Sequence, residues 1–413
     1  MKILFIVEHF PCLSETFVLN QVTGLIDLGH EVEVYPIGLP SGAVVHPDFE
    51  KYRLQERTWE KPRIPPNKLH RFLRAIKFLP RCLVRFPRAT LQSLNVFCYG
   101  QSAANLYYYY SLLPFLDHCH DFDAVHCHFG DKGVLAQHWR DWGIIKCRVS
   151  VVFHAHEIAA LSDEQGRAIY GRLLASDALL LPISQLWRER LLRWGARTER
   201  TLVHRMGVDC EQIRFAPKVI EESASIQLLS VSRLTEMKGT EFAIRAVAQL
   251  KPRFLNLRYI VAGDGPLRDF LERLAVELNV NDVVTFVGPQ TQDQVRELLA
   301  NSHIFLCPSV TDSDGCMEGI PVALMETMAA GVPAISTIHS GIPELISNGV
   351  SGLLVKERDV TGLATAFEKL VTNVDLYAAI ANEGRLKVER DFNIRTLSEK
   401  LAKVFSSIII TRR

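Results

Sequence analysis

Apolar residues in the first half of the chain come in short runs: KILFIVEHF, EVEVYPIG, DAVHCHFG, VSVVFHAHEI, ALLLPIS and TLVHRMGV. Runs of this length, rich in Val, Ile and Leu and bounded by turn residues, predict strands. Between the first two, Ser14 to Leu28 spaces its apolar positions for a helix, with Ser14 as cap and Gly29 as stop. Strand, helix and strand in that order predict a βαβ unit, and its repetition predicts a parallel sheet covered by helices on both faces.

The pattern restarts after Pro217, where the polar stretch KVIEESAS gives way to IQLLSVSRL. From there it predicts helix 240–250, strand LRYIVAG, helix 266–278, strand VVTFVG, helix 292–302, strand HIFLCPS, helix 321–330 and strand PAIS. Two doubly wound, Rossmann-like α/β domains are therefore expected, residues 1–217 and 218–393. The amphipathic stretch Ile394 to Ile408 suits a helix returning to the first domain. Length agrees, since 413 residues exceed what one hydrophobic core normally organises. Ligands of open α/β sheets lie beyond the carboxyl ends of the strands, so two such sheets facing each other predict a cleft lined by strand ends.

Charge adds one local feature to a neutral whole. The formal net charge is +1, yet residues 61–116 hold nine Lys or Arg and no Asp or Glu. There Lys68, Arg71, Arg74, Lys77, Arg81, Arg85 and Arg88 interleave with Leu, Ile, Val and Phe. This fits peripheral contact with an anionic membrane, or the diphosphate of a lipid-linked acceptor. A solvated basic helix, interrupted at Pro80 and Pro87, fits equally. Near-neutral charge and the lack of a binding motif argue against nucleic acid. The nine cysteines lie singly, without CxxC or Cys/His pairs at zinc spacing. A cytoplasmic location is expected, with no spanning segment and with KILFIVEHF as a first strand instead of a signal peptide.

Candidate chemistry concentrates in the second half. Arg233 and Lys238 follow a strand and precede a helix, where fixed cations can stabilise a departing diphosphate. A solvated strand end with a helix cap accounts for the pair as well. Gly263 and Gly265 in AGDGPL allow either close backbone approach to a ligand or a plain turn. In CPSVTDSDGCMEGIPVALMETMAAGVP, Pro321 suits the first helical position and Gly331 the stop. Glu318 and Glu326 can accept hydrogen bonds from sugar hydroxyls, while the amides of Gly319 and Val322 can meet phosphate. The alternative is two surface glutamates beside a core helix. In the first half, His128 and His154 end strands and so belong to the predicted cleft, although buried histidines are often structural.

Taken together and in this order, SRLTEMKG, AGDGPL and the two glutamates eight positions apart in EGIPVALMETMAAGVP resemble the donor half of glycosyltransferase family 4, over residues 226–355. PSVTDSDGCMEGIP and SETF resemble its branch that builds bacterial exopolysaccharides such as colanic acid and amylovoran. The resemblance implies a GT-B fold and a retaining, metal-independent hexosyltransferase without cofactor, using a nucleotide diphosphate sugar and a saccharide or lipid-diphosphate-linked acceptor. It implies that Arg233 and Lys238 grip the pyrophosphate, Glu326 the ribose and Glu318 the sugar, and that His154 contacts the sugar near the phosphate. Glu15, Thr16, His128, His156 and Glu157 become candidates for acceptor contact, Glu157 standing where an Asp is common. FPCLSETF replaces the paired glycines of many members. The rival readings are a nucleotide-sugar epimerase of the same fold and a non-catalytic nucleotide-sugar-binding protein.

Overall fold

The computed structural model describes residues 1–12, 16–38, 47–60, 63–118, 121–220 and 225–409. The buried apolar runs form two parallel sheets. The first contains β1 (Lys2–Val7), β2 (Glu31–Pro36), β3 (Ala124–His128), β4 (Val149–Phe153) and β5 (Leu179–Pro182), in the order β2-β1-β3-β4-β5. The second contains β6 (Ile226–Val231), β7 (Leu257–Ala262), β8 (Val284–Gly288), β9 (Ile304–Cys307), β10 (Ala334–Thr337) and β11 (Leu353–Val355), in the order β11-β10-β9-β6-β7-β8. Their continuous apolar character follows from burial on both faces: Ile3 to Val7 and all of β3 and β4 are buried.

Local signals explain the crossovers. The helix Thr16–Asp27 buries Val18, Leu19, Val22 and Leu25 against β1 and its neighbours. It stops where Gly29 adopts φ 81° and His30 N–H reaches back to Leu25 O at 3.0 Å. In the second domain the helices Thr240–Leu250, Arg268–Glu277, Gln292–Asn301 and Val322–Ala330 fall where the apolar spacing puts them. The last begins one residue later than expected, with Pro321 in the capping position.

Two expectations are corrected. TLVHRMGV is not a sixth strand: Thr201 makes one bridge to Leu180, His204 N–H still reaches Pro182 O at 3.0 Å, and the chain then leaves the sheet edge. Its remaining apolar residues serve the passage between domains, where Val208 bridges Asn393. Nor does Pro80 break the basic segment. One helix runs Lys68–Arg85 with Pro80 inside it, and Pro87 opens the next helix, Pro87–Ser93. Pro80 and Ile76, whose carbonyl loses its helical partner, both lie on the exposed side, so the freed group is open to solvent and need not be buried unpaired.

The chain crosses between domains twice. After the second crossing the helix Ile394–Ile409 lies on the first sheet, with Leu401 and Phe405 fully buried in that core and Phe405 against His126. Glu344 of the second domain accepts Gln185 N–H at 2.6 Å and pairs with Arg205 at 2.8 Å, joining the two domains beside the cleft.

Candidate active site

Each sheet reverses its strand order once, between β1 and β3 and between β6 and β9, and such reversals open a crevice at the strand ends. In the second domain the crevice is built from three tightly packed loops. A Cβ on Gly263 (φ 129°) would lie 1.9 Å from Ser232 O, and one on Gly265 would lie 2.6 Å from Leu234 O. These two glycines thus let the loop after β7 lie against the loop that carries Arg233. Gly239 (φ 64°) does the same against Pro308 O at the end of β9.

Within that frame Lys238 Nζ donates to Glu318 Oε1, and Ser309 Oγ donates to Glu318 Oε2. Three elements, the β6 loop, the end of β9 and the segment before the helix Val322–Ala330, thereby meet at one carboxylate. Burial pulls the Lys238 ammonium below the ordinary lysine value, and nearby Arg233 adds to the effect. Arg233 itself is exposed and makes no ion pair with a described residue. Behind the carboxylate, Glu318 N–H donates to His339 Nε2 at 3.1 Å, and the other ring nitrogen of His339 meets Glu357 at 2.6 Å.

Glu326 stands apart from this cluster. It accepts a hydrogen bond from Gln292 Nε2 at 2.5 Å, and burial raises its pKa, opposed by Gln292 and Arg296. Glu326 lines a small inter-domain pocket with Thr16, Asn20, Asp48, Asp209 and Arg296. Val322 opens the helix with its amide free of a helical partner.

In the first domain, His128 Nδ1 lies 2.9 Å from His154 Nε2 and the rings stack, with Phe17 against both. Burial holds both imidazoles well below the usual histidine range, His154 at about 3, and they are neutral at pH 7. His128 Nε2 is buried without a hydrogen-bond partner among the described residues. Glu157 accepts His154 N–H at 2.9 Å, its other oxygen is buried with no side-chain partner among the described residues, and burial pushes its carboxyl up to about 7. His156 is exposed on the one-turn helix His156–Ala159, apart from this pair. Glu15 and Ser14 lie outside the described residues.

The domains meet at this point. A Cβ on Gly319 would lie 2.5 Å from Ile183 Cδ1 and 2.9 Å from His154 O, so the residue next to Glu318 packs directly on the strand end bearing His154. Lys238, Glu318 and His154 therefore border one seam, while Glu326 occupies a second position along it. Sequence reasoning missed Ser309, His339 and Glu357. It also missed Lys132, a buried lysine paired with Glu8 and, at 2.5 Å, with Asp131 at the first sheet's reversal. Burial draws Lys132 down, but the two carboxylates bring it above the ordinary lysine value. The position of His339 just past β10, a strand end like that of His154, was the available signal.

Residues 212–387 match the family model described as glycosyl transferases group 1, a span that includes Arg233, Lys238, Ser309, Glu318, Glu326, His339 and Glu357. The whole chain is similar to WcaL of Escherichia coli (strain K12), a glycosyltransferase assigned to colanic acid biosynthesis: 38% identity, covering 99% of this chain and 100% of WcaL. The chain belongs to the group 1 glycosyltransferases. It is also 35% identical to the amylovoran biosynthesis glycosyltransferase AmsK of Erwinia amylovora, over 99% of this chain and 100% of AmsK. Among solved structures, this group 1 enzyme overlays Anabaena HepE in complex with UDP and glucose (TM-score 0.70, 18% identity, 98% of this chain and 100% of HepE). It also overlays sucrose-phosphate synthase from Thermosynechococcus elongatus (TM-score 0.71, 17% identity, 99% and 100%). The shared architecture is GT-B.

Proposed function

We propose that the protein is a retaining, metal-independent hexosyltransferase that uses a nucleoside diphosphate sugar and a lipid-diphosphate-linked saccharide acceptor in exopolysaccharide assembly. The observation that carries this reading is the convergence of Lys238, Glu318 and Ser309 at the β6/β9 reversal, with exposed Arg233 beside them and His154 across the seam. Two cations and the free amide of Val322 supply positive potential where a diphosphate develops charge, so a metal is not needed for that task. Glu318 then faces hexose hydroxyls and Glu326, with Gln292, the ribose. The acceptor hydroxyl attacks from the face the diphosphate leaves, and a leaving-group oxygen takes its proton. The two exopolysaccharide relatives support the pathway, and full-length similarity to transferases leaves the epimerase and binding-protein readings without support.

The test is a panel of radiolabelled nucleotide sugars, UDP-hexoses first and GDP-mannose next, scored by incorporation into a lipid-extractable fraction. Label entering the lipid fraction from one donor, lost in Glu326→Ala and Lys238→Ala variants, is the expected result. Near-normal transfer in both variants overturns the donor assignment.

The same reading places the enzyme at the inner face of the membrane through the helix Lys68–Arg85. Its support is an apolar face left in solvent, with Leu69 64%, Phe72 57% and Leu73 56% exposed, among cations worth about 1 kcal/mol each near anionic headgroups. Among the described residues no helix is long and apolar enough to cross a membrane, which leaves surface contact as the mode. Sedimentation with phosphatidylglycerol vesicles but not phosphatidylcholine vesicles, weakened in a Phe72→Ser/Leu73→Ser variant, is expected. Equal sedimentation of variant and parent removes this part of the proposal.

A further inference from the structure

Glu318 is held from two sides. Its carboxylate meets Lys238 and Ser309, but its backbone N–H is taken by His339, a residue 21 positions later that is 1% exposed. A backbone amide can only donate, so His339 Nε2 must accept. The ring proton therefore sits on Nδ1 and is donated to Glu357 Oε1 at 2.6 Å. Glu357 is itself a junction: its Oε2 accepts Thr311 N–H at 2.9 Å, and Thr311 Oγ donates to its Oε1 at 3.3 Å. Thr311 begins the segment that ends at Glu318. That segment is also tied at Ser313, whose hydroxyl donates to Glu236 at 2.8 Å in the Lys238 turn.

We propose that His339 and Glu357 are the positioning pair of the donor site: a neutral Nδ1–H histidine, backed by a carboxylate, fixes the segment 311–318 so that the Glu318 carboxylate stays at Lys238 and Ser309. The inference rests on the donor-site reading above and adds to it the residues that hold the sugar-facing carboxylate in place. Neither residue meets the substrate in this scheme, and both act through Glu318.

Three further observations agree. Burial lowers the pKa of His339, with Glu357 opposing and Lys238 and Arg358 adding, so the ring stays neutral at pH 7. Arg358 closes the junction by donating from Nη2 to Thr311 O at 2.5 Å. Backbone strain points the same way. Of the seven non-glycine residues at positive φ among the described residues, Ser340 directly follows His339 and Arg358 directly follows Glu357, while Phe129 and Ala155 follow His128 and His154. Such conformations cost about 1–3 kcal/mol each and persist where surrounding structure over-determines them.

Two measurements test the pair. In uniformly 15N-histidine-labelled enzyme, the His339 ring signals, identified by their loss in His339→Gln, are expected to show protonated Nδ1 and bare Nε2 at pH 7.5. A protonated Nε2 overturns the proposal whether or not the enzyme is a transferase. The second is kinetic, with the donor and acceptor that the panel selects. His339→Asn keeps an amide that reaches Glu357 but not Glu318, whereas His339→Gln places a carbonyl oxygen near the original Nε2. His339→Asn is expected to lower kcat by on the order of tenfold to a hundredfold, the scale of a small misplacement of a contacting group. UDP or GDP affinity by calorimetry stays within about threefold of the parent, since Arg233 and Lys238 are intact, and His339→Gln recovers most of the lost kcat. Parent-like kcat in His339→Asn, or equal losses in Asn and Gln variants at unchanged melting temperature, overturns the positioning role. Absence of transfer by the parent enzyme counts against the function itself, and the tautomer measurement then decides the pair alone.

Discussion

The two halves of the cleft solve different physical problems. The second domain gathers ionised groups, Lys238 and Glu318 with Arg233 nearby, and reaches its close loop packing with glycines at Gly239, Gly263 and Gly265. The first domain presents stacked, buried and neutral imidazoles at the same kind of strand end, followed by Phe129 and Ala155 at φ 74° and 93°, as Ser340 and Arg358 follow His339 and Glu357 in the second. Fixed charge suits a diphosphate, and neutral donors and acceptors suit hydroxyls. The contrast teaches that a shared strand-end architecture assigns place, while the side chains filling it assign chemistry.

The contrast breaks most visibly at Lys238. Lys238→Ala is expected to lower kcat/KM by on the order of a hundredfold or more and to weaken UDP or GDP binding. His154→Ala is expected to leave nucleotide affinity within a fewfold while lowering turnover, and calorimetry beside steady-state rates separates the two. If His154→Ala abolishes nucleotide binding and Lys238→Ala does not, the division of labour is wrong.

Acid should act most strongly through the first domain, whose lowered histidines outnumber His303 and His339 of the second. His126, His128, His154 and His204 all have folded pKa values below the unfolded value, so each contributes stability that is present above about pH 6.5 and lost as pH falls toward its folded value. The slope is about 1.4 kcal/mol per pH unit for each histidine. Glu157, pushed up to about 7, opposes this, because its contribution is lost as pH rises between roughly 4.5 and 7. His30, His138, His303 and His339 are lowered as well, and only Glu326 joins Glu157 on the other side, which predicts a lower melting temperature at pH 5 than at pH 7.5, with a smaller difference in a His128→Phe/His154→Phe variant. A larger difference in that variant contradicts the assignment.

Smaller effects sharpen the comparison at the backbone. Gly263→Ala is expected to destabilise by about 1–3 kcal/mol and to weaken nucleotide binding, since its Cβ would strike Ser232 O. Ala155→Gly is expected to raise stability by roughly 1 kcal/mol, because relief of the strained φ exceeds the added freedom of the unfolded chain. Chemical denaturation measures both, and a stabilising Gly263→Ala would show that the close packing on the Arg233 loop does not depend on glycine.

Much of the fold was legible because each crossover carries its own punctuation, as at Gly29 and Gly331, and because β1 and β6 are uninterrupted apolar runs. The errors fell where long-range context overrides local pattern. TLVHRMGV has a strand's alternation but is spent on the crossing between domains, and Pro80 is tolerated because it faces water. β11 is only three residues long, too short for periodicity to announce. In the site, Arg233, Lys238, Glu318 and Glu326 stood out through linked motifs. Ser309, His339 and Glu357 did not, because their meaning lies in partners 9 to 46 residues away. Gly263 and Gly265, which the sequence leaves as either ligand-approach or turn glycines, also let their loop lie against the Arg233 loop, a contact that no local pattern announces.

The closing helix Ile394–Ile409 has a consequence for how the molecule is made. A Cβ on Gly24 would strike Ser398 Oγ at 2.3 Å, and Leu401 and Phe405 complete the core begun by Met1 and its neighbours. The amino-terminal domain, although translated first, cannot acquire its full interior until the helix Ile394–Ile409 has been translated. The first domain is thereby sealed by a helix from far along the chain, and a chain interrupted before Ile394 presents an unfinished first domain to the quality-control machinery of the cell.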